Sequence, residues 1–199
     1  MNKLFQLFPI PLYQTSLNVE PYILEFIKSQ KFEKMSKFSI SKDPNILELK
    51  ELHKVKTSIT EKVNEFLYDV CQISNDVYLE LSASWGVWLK GGDHSDPHSH
   101  ANSIISGVWY LNTTENSGDF AVARDTGLFG NTFIFNTKSS NSINEYVKFF
   151  KPKIGDMYIF PSTLKHKITE CFDDTDRISI AFNFMVRGKI RSENAIFEL

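Results

Sequence analysis

Residues 177–186 read Arg-Ile-Ser-Ile-Ala-Phe-Asn-Phe-Met-Val. Successive side chains of a strand point to opposite faces. A strand here puts Ile178, Ile180 and Phe182 on one side and Arg177, Ser179 and Ala181 on the other. The first face is bulky and apolar, suited to packing against an outer layer. The second is small and begins with a cation, which leaves room for a ligand beside the guanidinium if that face lines the inside of a barrel.

Outward from this stretch, β-branched and aromatic residues recur in Tyr78–Leu89, Ser103–Leu111, Gly118–Ala123, Thr132–Asn136, Tyr146–Lys151, Met157–Phe160 and Lys165–Glu170. Turn-rich breaks separate them, among them Lys90–Gly91–Gly92–Asp93, Asn116–Ser117–Gly118 and Ile154–Gly155–Asp156. About eight short strands with no helix between them predict an antiparallel sandwich or barrel, against alternating β/α units. The chain has neither a dinucleotide-binding glycine fingerprint nor a P-loop.

Ahead of Ser74 the pattern differs. Pro9 and Pro11 keep Phe5 to Leu17 extended, and Glu20 to Ile27 fits a short helix. A longer helix is expected from Asp43, as N-cap, with Pro44 at the first helical position. Leu52, Val55, Ile59, Val63, Phe66 and Val70 then form one apolar stripe among charged residues, to be packed on the outside of a sheet. His53 beside the stripe reads as solvent-facing. The expected organisation is one domain over 1–199: an extended and helical part (1–75), a β-rich core (76–187) and a C-terminal tail (188–199).

The bulk composition narrows the classes. The chain has 199 residues, 42% of them hydrophobic, enough for a sizeable core. With 22 basic and 24 acidic side chains it is nearly neutral, which argues against gripping nucleic acid as the main task. Cys71 and Cys171 follow no metal or redox spacing and are expected as free thiols. The N-terminus lacks the pattern of a signal peptide and no stretch suits a membrane span, so a cytoplasmic protein is expected.

Four of the five histidines lie in the β-rich half, three of them in Asp93–His94–Ser95–Asp96–Pro97–His98–Ser99–His100, and the fourth is His166. Residues i and i+2 of a strand share a face, so His98 with His100, or His94 with Asp96, can converge on one ion. His166 is the obvious third donor. Imidazole and carboxylate suit ferrous iron, and three protein ligands leave positions open for oxygen chemistry. A single histidine is more often a plain surface or core residue, and a loop of His, Asp and Ser is often just a solvated turn. The cluster and the distant strand histidine together carry the metal reading.

Three blocks add to it: PHSHANSIISGVWYLN (97–112), KPKIGDMYIFPSTLKHKI (151–168) and RISIAFNF (177–184), with LFPIPLY (7–13) ahead of them. In this order they resemble a branch of the 2-oxoglutarate/Fe(II)-dependent dioxygenase superfamily found in marine phages and bacteria. The resemblance implies a double-stranded β-helix (jelly roll) with the N-terminal helices outside the sheet, Fe(II), 2-oxoglutarate, O2 and an unidentified substrate, with hydroxylation as the usual outcome. It matches His98 and His166 to metal histidines and Arg177 to the arginine that holds the distal carboxylate of 2-oxoglutarate. A guanidinium suits that task because its planar fork grips a carboxylate at two points. Tyr110 matches a tyrosine that supports the same carboxylate, and is equally readable as a core aromatic.

Most of the superfamily has a carboxylate as second ligand, where this chain has His100. Two registers stay open: His98, His100 and His166, which the resemblance favours, or His94, Asp96 and His166, which restores a carboxylate. Trp85 and Trp88, three apart, should face opposite sides, so at most one lines a substrate channel. The loop Ala123–Asn131, with Gly127 and Gly130, reads as either a lid or an inert surface loop. The rival functions are a non-catalytic jelly-roll module such as a virion component, and a cupin-like metalloenzyme without 2-oxoglutarate. Oligomerisation is left open.

Overall fold

In the computed structural model, which describes residues 3–125, 135–192 and 195–198 and side chains up to 190, the strand begun by Arg177 lies at the middle of the molecule. The strands are β1 (Tyr13–Ser16), β2 (Phe32–Lys34), β3 (Ser39–Ser41), β4 (Val77–Leu89), β5 (Ile105–Asn112), β6 (Phe120–Ala123), β7 (Val147–Phe150), β8 (Asp156–Pro161), β9 (Lys165–Ile168), β10 (Arg177–Ser192) and β11 (Ala195–Glu198). The large sheet runs β1-β8-β5-β10-β4-β3-β2, with β11 paired to β10, and a smaller sheet runs β9-β6-β7. Every named pairing in both sheets is antiparallel. The two sheets make the jelly roll expected from the sequence.

β10 shows the alternation read from its residues. Ile178, Ile180 and Phe182 are fully buried on the outer face, against Ile27 of the helix α1 (Pro21–Lys28) and Val55, Ile59 and Val63 of α2 (His53–Asn64). Burying a side chain of this size contributes about 1.5–3 kcal/mol, so this face secures the helices to the sheet. The inner face of the large sheet carries Tyr110, Tyr158 and Phe160, which meet Phe120 and Leu164 in a second core between the sheets. Register shifts in β10 between Ile178 and Ser179, against β5, and between Asn183 and Phe184, against β4, bracket the inward stretch from Ser179 to Asn183.

The expected helix from Asp43 forms differently. The Asp43 carboxylate accepts a hydrogen bond from Asn45 N–H at 2.8 Å, which makes a local turn. Two 3-10 turns follow, Ile46–Glu48 and Lys50–Leu52, and the α-helix starts only at His53. Residues 44–47 are instead tied to β4: Ser84 N–H donates to the Pro44 carbonyl, and Leu47 N–H donates to Ser84 Oγ, both at 2.9 Å. Past Asn64 the helix widens into a π-turn over Glu65–Val70, with Cys71 N–H reaching Phe66 O. The wider turn buries Phe66 and Leu67 and turns Val70 out, 49% exposed, although the stripe had placed it inside.

The stretch expected as a tail, 188–199, is β-structure in its described part: β10 runs on to Ser192 and pairs with β11. Arg187, Lys189 and Arg191 mask that strand in the sequence. The β2–β3 hairpin had no sequence signal. The strand expected over 132–136 falls mostly outside the described residues, and Phe135 and Asn136 are not in a strand. The proposed lid is outside them from 126 to 131. Cys71 and Cys171 are free, as expected. Among the described residues no helix is long and apolar enough to cross a membrane.

Gly107 of β5 pairs with Phe182 of β10, and the Phe182 ring lies where a Gly107 Cβ would be, 2.3 Å away, with Tyr158 O at 2.9 Å. Gly107→Ala is therefore expected to destabilise the fold by about 1–3 kcal/mol through forced repacking. Urea unfolding of the two proteins checks this, and equal midpoints would contradict the packing described.

Candidate metal and dicarboxylate site

The segment before His98 is a loop held alongside β9 by hydrogen bonds. Ser95 N–H donates to Ile168 O at 3.1 Å, and Ile168 N–H donates to Ser95 Oγ at 2.8 Å. His98 and His166 exchange two backbone hydrogen bonds of 2.9 Å, one in each direction. His100 N–H then donates to Ser162 O at 3.0 Å, at the end of β8. Residues far apart in sequence are thus brought side by side by main-chain pairing.

One ligating nitrogen from each of His98, His100 and His166 lies within 4.8 Å of the others, the one such triad among the described residues. The Nε2 atoms of His100 and His166 are 3.2 Å apart. Two backbone carbonyls orient the rings: His98 Nδ1 lies 2.8 Å from Asp96 O, and His166 Nδ1 lies 2.8 Å from Leu164 O. A carbonyl only accepts, so each Nδ1 carries a proton and Nε2 is the nitrogen left for a metal. Burial pushes His166 down to about 3, against the Leu164 carbonyl that raises it, and burial with the neighbouring His98 pushes His100 down to about 4. Both rings are neutral near pH 7. Converging neutral lone pairs fit a divalent cation.

His94 and Asp96 are elsewhere. Ser95 takes the inward position, so its neighbours project away from the cluster. The Asp96 carboxylate is solvent-exposed and bound to Lys37 at 2.8 Å, and that ammonium holds its carboxyl below the usual range. His94 Nδ1 approaches Gly92 O at 3.3 Å. The β2–β3 hairpin braces this loop, since Lys34 also binds Asp93 at 2.6 Å. Of the two registers, the structure brings together the residues of the first.

Arg177 is 0% exposed. Its Nη2 donates to Tyr110 Oη at 3.2 Å, and its guanidinium carbon lies 4.8 Å from the centre of the Tyr110 ring. Among the described residues Nε and Nη1 have no hydrogen-bond partner, and neither does Ser179 Oγ, two residues on along the same face. A buried cation without a counter-charge costs several kcal/mol, so these groups fit an anion. Burial raises the Tyr110 hydroxyl pKa while Arg177 opposes the shift. Tyr110 therefore stays protonated and supplies no compensating charge.

Sequence reading missed Ser179 as a polar contributor, although its place two residues after Arg177 was the available signal. It also missed a chain of buried polar groups. Ser103 Oγ donates to Ser162 Oγ (2.9 Å), Ser162 Oγ meets Ser106 Oγ (2.8 Å), and Ser106 Oγ donates to Asn183 Oδ1 (2.7 Å). The two tryptophans do face opposite sides. Trp85 lies 5.6 Å from His100, ring centre to ring centre, while Trp88 packs on Phe32 and binds Asp176 on the outer face.

Residues 83–183 match the family model described as 2OG-Fe(II) oxygenase, where 2OG is 2-oxoglutarate; this is just over half of the chain, and the protein belongs to that family. Its cofactor is Fe(II) and its cosubstrate 2-oxoglutarate. No curated relative matches the sequence. Solved structures with the same fold include HygX from Streptomyces hygroscopicus with nickel and 2-oxoglutarate bound, 11% identical over 88% of this chain and 83% of that one, with a TM-score of 0.60. The non-haem alpha-ketoglutarate-dependent epimerase SnoN from nogalamycin biosynthesis is 11% identical over 94% and 83%, with a TM-score of 0.63. A Pseudomonas putida prolyl-4-hydroxylase is 13% identical over 90% and 94%, with a TM-score of 0.56.

The depressed histidines set a pH dependence for the metal-free protein. Unfolded, these imidazoles take up protons near pH 6.5; folded, only near 4 and 3. Stability is then full above about pH 6.5 and falls as the pH drops toward 4, where the unfolded state binds more protons. Urea unfolding at about pH 7 and about pH 5 should show this loss, and a smaller one in His166→Gln. An identical pH dependence in the two proteins would mean that His166 is not held neutral.

Proposed function

We propose that the protein is a hydroxylase in which His98, His100 and His166 hold Fe(II), while Arg177, Tyr110 and Ser179 hold the distal carboxylate of 2-oxoglutarate. The observation that carries this reading is the fully buried Arg177 guanidinium with two nitrogens unpartnered, in the same interior as three converging histidines. A non-catalytic module has no use for that uncompensated charge, and a cupin-like enzyme without 2-oxoglutarate has no ligand for it.

With O2 and 2-oxoglutarate, ferrous iron supplies an oxidative decarboxylation, giving succinate and CO2, that is coupled to oxidation of the substrate. The chain's own part is placement. Carbonyls of Asp96 and Leu164 fix two imidazoles with Nε2 toward the centre. Arg177 and Ser179 offer a carboxylate up to three donors away from water, where such contacts are strong. Tyr110 keeps the guanidinium in position through Nη2, leaving Nε and Nη1 to the ligand. Trp85, half-buried beside His100, forms an aromatic wall for the substrate.

From the order of the motifs we read the protein as one cytoplasmic domain of the branch found in marine phages and bacteria. Fold neighbours are recorded with hygromycin B bound in HygX and with nogalamycin RO bound in SnoN. We take a small molecule as substrate, with hydroxylation ahead of epimerisation.

Two measurements test the assignment. His166→Ala should abolish stoichiometric Fe(II) binding with the fold retained, and His100→Ala should weaken Fe(II) more than Asp96→Ala does. Full iron occupancy without His166, or the reverse order of the other two, would sink the histidine set. Arg177→Ala should weaken 2-oxoglutarate binding to the Fe(II)-loaded protein by at least roughly tenfold, since losing a buried charge-assisted contact costs about 2–5 kcal/mol. An unchanged affinity would place the cosubstrate elsewhere.

A further inference from the structure

Leu12 packs onto the core between the sheets and Tyr13 onto the core beneath the helices. Ahead of them the chain does the opposite. Leu4, Phe5, Leu7, Phe8 and Ile10 are between 62% and 91% exposed. Only Gln6 and Pro9 interrupt this run of large apolar side chains. The arm has a set course. Gln6 Nε2 donates to Ser142 Oγ at 3.0 Å, and Pro9 and Pro11 stiffen the backbone. Phe8 has a φ of 55°, in the left-handed region that a bulky residue ahead of a proline adopts only under constraint.

A monomer rarely shows water more than roughly a few hundred Å² of apolar surface in one patch. The strained, outward Phe8 adds to that cost and persists where a contact offsets it. A lipid surface asks for an amphipathic helix or a basic cluster beside the apolar residues. Residues 3–10 form no helix and carry one charged side chain, Lys3. A second copy of the chain fits better. The arm has no acidic group, and an apolar, aromatic centre without charge meets its own copy with no repulsion there. The arm leads into β1, the edge strand of the large sheet, where a second molecule can approach.

We propose that residues 4–10 are a self-association surface: two copies of the chain pack Leu4, Phe5, Leu7, Phe8 and Ile10 of one against the same residues of the other, about a two-fold axis. Burying five such side chains from each copy, at about 100–200 Å² apiece, removes roughly 1,000–2,000 Å² from water, which is the size of a stable interface. The prolines restrict the arm beforehand, so little chain freedom is lost when the arms meet.

Sedimentation equilibrium of the full chain over a range of micromolar concentrations tests this. The wild type is expected at twice 22.9 kDa, and the double variant Leu7→Asp, Phe8→Asp at 22.9 kDa. The urea midpoint of the wild type should rise with protein concentration, because association involves only folded chains, and that of the double variant should not. Leu7 and Phe8 are 73% and 91% exposed, outside both cores, so the variant is expected to keep its fold, which circular dichroism checks. Should it fail to fold, a chain lacking residues 1–8 gives the same readout. A wild type that sediments at 22.9 kDa throughout overturns the proposal, whether it stays free in solution or floats with phosphatidylcholine vesicles as a lipid anchor does. A folded double variant that remains dimeric overturns the arm as the interface.

Discussion

A full positive charge sits at 0% exposure on the central strand, with one hydrogen bond and no carboxylate against it among the described residues. The fold tolerates it because Arg177 belongs to a strand with two different jobs. Ile178, Ile180 and Phe182 bind the large sheet to the helices behind it and contribute several kcal/mol of apolar burial. That outer face offsets what the inner face costs. The inner face is left free to be small, polar and cationic, which a ligand needs and a folding core does not.

The histidine end depends on the same division of labour between main chain and side chain. His98 and His166 are placed by reciprocal backbone bonds, and their tautomers are fixed by the carbonyls of Asp96 and Leu164, in each case two residues earlier. Asp96 serves the site with its carbonyl while its carboxylate is held outside by Lys37. This explains why a carboxylate so close in sequence does not join the cluster. The residue is committed through its backbone, and Ser95 occupies the inward place.

Much of this was legible because it rests on period and order. The alternation in 177–186 set the two faces of β10, and the histidine pair with its distant partner marked the cluster. Features decided by contacts between distant segments were not legible. Hydrogen bonds from Ser84 pull residues 44–47 out of the expected helix, and one added residue in the turn at 65–70 moves Val70 to the surface. The β2–β3 hairpin is three residues per strand, too short to show a period, yet its lysines brace the loop that carries His98. Nothing in Ser103, Ser106, Ser162 or Asn183 read singly marks them as one network, since it exists only once β5, β8 and β10 are adjacent.

Three imidazoles and no carboxylate also change the electrostatics of the centre. A set with a carboxylate cancels one of the cation's charges; three neutral imidazoles, as proposed here, would cancel none. Burial keeps His100 and His166 uncharged, so they do not repel the cation, and Arg177 adds a further positive charge in the same interior. Apart from the imidazoles, the described polar groups around Arg177 are donors: its free nitrogens, the Tyr110 hydroxyl and Ser179 Oγ. A dianion that reaches from Arg177 to the histidines meets positive charge or donors along its whole length, and it supplies the compensation that the protein omits. On the proposed assignment the cosubstrate is the missing counter-ion of the fold, and the site is electrically complete only when it is loaded.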